Sequence, residues 1–91
     1  MESKEKKLLL DVEQGKECIV YRVNGQGGFR HRVMEMGFVR GEKVKVIKSA
    51  PLQDPIEYKI MQSHVSLRRT EAAHIEVVDV DELSKDEKYS F

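Results

Sequence analysis

The chain has 91 residues, 40% hydrophobic and 35% charged, with a formal net charge of zero. That describes one globular domain with a modest core and little room for a deep substrate pocket. Zero net charge removes the default attraction to nucleic acid or anionic membrane, and the single cysteine, Cys18, excludes an internal disulfide and suits a reducing, cytoplasmic setting.

Residues 1–7 are polar and without periodicity, and read as a flexible lead. Leu8–Leu10 is too short for a secretory apolar region, and no run approaches the ~20 apolar residues of a membrane span. Leu8–Val12 suits a short strand or a docking segment, and Gln14-Gly15 a turn. Glu17–Val23 alternates with period two, and the reading places Ile19, Tyr21 and Val23 inward. Asn24 to Gly28 breaks regular structure. From Phe29 the period changes: Phe29, Val33 and Met36 fall at i, i+4 and i+7, one face of a two-turn helix. Gly37 stands where such a helix ends, because a residue without Cβ enters the left-handed region freely. Gly41 turns the chain into a strand at Lys43–Lys48.

Pro51 to Pro55 reads as a fixed turn, since neither proline can donate to a ladder. Ile56, Tyr58 and Ile60 alternate with Glu57 and Lys59 as the next strand. Gln62-Ser63 is the expected hairpin turn, and Val65 and Leu67 open a further strand. Thr70 is the expected N-cap of one helical turn through His74. Ile75–Val80 closes the domain. The pattern predicts a mainly β fold, a small SH3-like β-barrel of about five short strands with one short helix and one helical turn, over residues 8–80. Residues 81–91 read as a charged C-terminal tail or the start of a linker. Charge is uneven: residues 21–48 carry seven Lys/Arg and two Glu, residues 79–88 five Asp/Glu and two Lys.

Three runs carry a family resemblance. Arg32-Val33-Met34-Glu35-Met36-Gly37-Phe38-Val39-Arg40-Gly41 resembles the "R-L-x-x-M-G-hydrophobic-x-x-G" run of the FeoA family, named for ferrous iron transport protein A. Ala50-Pro51-Leu52-Gln53-Asp54-Pro55-Ile56 is similar to its "A-P-x-x-D-P" turn, and Leu67 to Val77 to its "L-R-x-x-E-A-x-x-I-x-V" ending. The resemblance covers roughly residues 8–78. The family often has leucine at the position of Val33, and glycine near the hairpin where this chain has Gln62-Ser63. The resemblance implies an SH3-like barrel in the bacterial cytoplasm. It also implies an accessory role to the ferrous iron permease FeoB, whose cytosolic region binds GTP. It implies no catalysis, no cofactor and no established iron site, and FeoA domains also occur fused to the permease.

Cys18, His31, His64 and His74 have no metal-ligand spacing, so no metal site is expected. Nothing in their order suggests a nucleophile with a base and an orienting third group, so no enzyme is expected. Gly25, Gly27 and Gly28 lack the Lys-Ser/Thr of a phosphate loop and read as a turn. Arg22, Arg30, Arg32, Arg40, Lys43, Lys45 and Lys48 form a basic stretch, but exposed stacking aromatics are sparse, so no nucleic acid is expected. Protein binding remains. Its expected contacts are Arg30, Val33 and Met34 on the helix, with Arg68 and Arg69 after the fourth strand, either meeting a partner or pairing with Glu57 or Glu71. Gly37, Gly41, Pro51 and Pro55 hold the shape. Two rival readings share the fold: the C-terminal module of an iron-dependent repressor and a small RNA-binding barrel. Unpaired strand edges would also allow self-association.

Overall fold

The structure, a computed structural model, describes residues 6–49 and 54–80. Six strands form one antiparallel sheet: β1 Lys6–Leu8, β2 Glu17–Val23, β3 Lys43–Ser49, β4 Ile56–Ile60, β5 Ser63–Leu67 and β6 Ile75–Asp79. Their spatial order is β1-β6-β2-β3-β4-β5. The additional strand is β1. It starts at Lys6, two residues before the expected domain start, and pairs Lys6 to Leu8 with Val78 to Glu76.

The core is the inner face of this curled sheet. Ile56, Tyr58 and Ile60 of β4 point inward as their alternation requires, meeting Val44 and Val46 of β3. In β2 the expected phase is corrected. Cys18 and Val20 enter the core, whereas Ile19 and Tyr21 face outward. A bulge between Val20 and Arg22 makes Tyr21 an extra residue and returns Val23 to the inner face. A second bulge, between Val46 and Lys48, bends β3.

Two helices close the ends. Helix α1, Gly27–Glu35, begins two residues before its apolar periodicity and sinks Val33 into the core, with Phe29, Met34 and Met36 packed partly buried against it. It ends in a Schellman motif: the Phe38 amide donates to the Val33 carbonyl and the Gly37 amide to that of Met34, with Gly37 at φ +115°. Helix α2, Arg69–Ala72, packs against β5 and against the 3₁₀ turn Leu9–Asp11, so it spans the seam between the two ends of the sheet. Its cap is Arg68, not Thr70. The Arg68 amide donates to the Glu71 carboxylate at 2.8 Å and the Arg69 amide to Asp54 at 3.0 Å, which meets the helix's unpaired donors without a hydroxyl.

Of the shape-holding residues, Gly41 (φ +96°) donates to the Val20 carbonyl at 2.9 Å and ties the turn to β2. Pro55 follows a cis peptide bond from Asp54. Pro51 lies outside the described residues, as do the expected lead through residue 5 and the tail from residue 81.

Candidate partner-binding surface

The hairpin between β4 and β5 turns on two residues, Met61 and Gln62, because Ile60 pairs with Ser63. Both have positive φ, 51° and 65°, a type I′ geometry that favours Asn-Gly. The turn therefore sits one residue before the expected Gln62-Ser63, and it places Met61 at the tip, 60% exposed. Met61 is the exposed large hydrophobic among the described residues. Its position follows from Gly37: a Cβ built there would stand 2.8 Å from the Met61 sulfur. The end of α1 and the hairpin tip thus form one surface, with Met61 proud of it and Met34 and Met36 half-buried on the adjoining helix. Methionine at such a position gives an adaptable apolar contact.

The expected contact residues divide. Met34 is half-buried at this surface and Arg30 is exposed on α1, its Nε 3.3 Å from the Val23 carbonyl. Val33 is fully buried, so it is a core residue that holds α1 down and cannot touch a partner. Arg68 and Arg69 are exposed. Of the acids proposed to pair with them, Glu57 is held by His64 at 2.7 Å, whereas Glu71 accepts from the Arg68 amide at 2.8 Å and also pairs with Arg32. The Arg68 amide, then Arg32, hold the Glu71 carboxyl below its usual range. Met61 was missed because no period marks a turn residue, and Met-Gln carries no turn signal.

The chemistry-bearing residues are dispersed. Cys18 is buried, and desolvation, aided by Asp79, pushes its thiol up to about 12. His31 pairs with Glu35 one turn along α1 at 2.9 Å, and His74 lies edge-on to Phe29 at 5.4 Å. Among the described residues no three His, Cys, Asp or Glu stand grouped to hold a metal ion, and no helix is long and apolar enough to cross a membrane. A cleft of about 630 Å³ is lined by both signs of charge, Lys7, Lys16 and Lys45 against Asp11, Glu13 and Asp79.

Comparison with known proteins follows the same lines. A family model described as the FeoA domain matches residues 7–79. The chain is 49% identical over 69 residues to an Fe(2+) transport protein A/Fe(2+) transporter FeoB fusion protein of Porphyromonas gingivalis, an alignment covering 76% of this chain and 8% of that one. Among solved structures it resembles the FeoA protein of Chlorobium tepidum, at 36% identity and a TM-score of 0.77, over 81% of this chain and 70% of that chain. It also resembles a zinc-complexed FeoA of Stenotrophomonas maltophilia, described as a procaryotic SH3 domain protein. There the identity is 25% and the TM-score 0.70, over 84% of this chain and 93% of that one. The expected SH3-like fold is thus the observed one.

Proposed function

The chain belongs to the FeoA domain family, tied to ferrous iron transport, and from that premise we propose that it is an accessory binding module of the ferrous iron permease. It docks on the cytoplasmic, GTP-binding part of a FeoB-type transporter and modulates its assembly or GTP-linked activity. The observation that carries this reading is the 49% identity to a segment of a chain that also contains the transporter. Joining two modules in one chain raises the effective concentration of each for the other, which suits partners that act together. The module itself is not proposed as a catalyst or as the iron carrier, and it works at the membrane's cytoplasmic face through its partner.

The contact is assigned to Met61 with Met34; Arg30 on α1 and Arg68 and Arg69 after β5 are further exposed candidates, the last two at the end of the hairpin away from Met61. An exposed methionine anchor fits a partner surface with an apolar pocket. Regulation through such a contact requires different affinities for two states of the transporter. The test is titration of the isotope-labelled protein with the soluble cytosolic region of the cognate permease, loaded with GDP and then with a GTP analogue. Amide shifts gathered on residues 29–38 and 60–63 that differ between nucleotides are expected. Met61→Glu should abolish them and leave the remaining spectrum intact. Shifts on another face, or none at high concentration, would overturn the assignment.

A further inference from the structure

The hairpin tip carries a chemistry that its role as an anchor does not use. Among the described methionines, Met61 is 60% exposed, whereas Met34 and Met36 are half-buried against the core. The Met61 sulfur is seated on the glycine end of α1. A Cβ built on Gly37 would stand 2.8 Å from that sulfur, 3.3 Å from the Met61 Cγ and 3.5 Å from the Ile60 Cγ1. The thioether thus fills the space a side chain would take, and Gly37 beneath it is buried. The amides of this helix end are already committed: Met36 donates to Arg32 and Val33, Gly37 to Met34, Phe38 to Val33 and Val39 to Gly37. The seat offers no free N–H from residues 36–39. A thioether, a weak acceptor, loses nothing there. A group with a strong acceptor oxygen must leave that oxygen unpaired or turn it to water.

We propose that Met61 is a reversible oxidation site, at which hydrogen peroxide converts the thioether to the sulfoxide and so releases the hairpin tip from Gly37. The sulfur lone pair attacks one peroxide oxygen and the O–O bond breaks. The other oxygen leaves as water, carrying the proton of the transferred hydroxyl. Sulfur is oxidised by two electrons and the peroxide is reduced by two. The exposed sulfur meets the oxidant first, and burial slows the reaction at Met34 and Met36. The product is polar and chiral, which ends the apolar contact that makes Met61 an anchor. The fold survives, because the last pair of the β4–β5 ladder is Ile60 with Ser63 and Met61 stands beyond it. Oxidation then switches off permease docking. That consequence rests on the reading above; the modification and the local release do not.

The experiment treats the full chain with hydrogen peroxide and follows it by peptide mass mapping and amide shifts. Met61 should gain one oxygen atom before Met34 or Met36 gains any. Shifts should gather on Gly37, Phe38, Ile60 and Gln62 and leave β1, β2 and β6 unmoved. Methionine sulfoxide reductases of both stereospecificities should reverse them. Affinity for the soluble cytosolic region of the permease should fall by about tenfold or more on oxidation. Met61→Leu keeps an apolar side chain without sulfur and should bind alike before and after peroxide, its amide shifts serving as the check on folding. Met34 or Met36 oxidised as fast as Met61, no shift at Gly37, or undiminished binding by the oxidised chain would each overturn the proposal. So would an equal loss of binding by peroxide-treated Met61→Leu. No binding by the untreated chain would overturn the docking reading instead, and the mass map and shifts would still decide the modification.

Discussion

Two single residues concentrate opposite kinds of cost. The Tyr58 hydroxyl is buried without a hydrogen-bond partner, and desolvation pushes its acidity far from the usual phenol range. Its ring, meanwhile, packs edge-on to Phe38 at 6.2 Å. Tyr58→Phe keeps the ring and deletes the stranded group, so urea unfolding should show equal or higher stability, by up to about 1 kcal/mol. A loss of that size would mean that the hydroxyl has a partner, such as a buried water. Gly37 is the converse: its positive φ disfavours a Cβ, and one built there would also stand 2.8 Å from the Met61 sulfur. Gly37→Ala should destabilise by about 1–2 kcal/mol from the backbone conformation. Because the clashing atom is the end of a flexible, exposed side chain, adding Met61→Ala should recover little of that loss. Large recovery would mean that the contact, not the φ angle, fixes glycine here.

At the level of elements, the β4–β5 hairpin spends stability on exposing Met61. Two non-glycine residues hold left-handed conformations in its loop. Replacing the pair with Asn-Gly should raise stability by about 1–2 kcal/mol, measured by urea midpoint, while weakening permease binding because the anchor is gone. A variant that gained stability and bound as before would remove Met61 from the proposed contact. The same elements show how far a sequence can be read. The alternation of Ile56, Tyr58 and Ile60 and the glycine end of α1 follow from residue type, and both stand in the structure. The facing of β2 could not be read, because a one-residue bulge reverses every side chain beyond it without changing composition. Nor could the cap of α2, where Glu71 and Asp54 reach in from neighbouring positions to do a hydroxyl's work. At the candidate surface, the helix was legible from its period; the anchor was not, because it stands on a turn made of residues that ordinarily avoid turns.

Taken whole, the molecule couples its core to alkaline pH. The unfolded Cys18 thiol ionises around its ordinary value of 9.0, whereas the folded one holds its proton up to about 12. A raised folded-state value means stability that is intact below 9.0 and declines as pH climbs through the folded value, with Tyr58 adding to the same trend. Unfolding curves at rising pH should show this decline, and Cys18→Val should flatten its first part; a profile unaltered by that change would discount the thiol. The order of the sheet has a different kind of consequence, for biosynthesis. The last strand, β6, is inserted between the first two, β1 and β2. During translation β2 to β5 can assemble as successive neighbours, but β1 has no place until residues 75–79 have left the ribosome. Completion of the barrel is thus deferred to the emergence of its final strand, and the slow pairing of distant segments comes last.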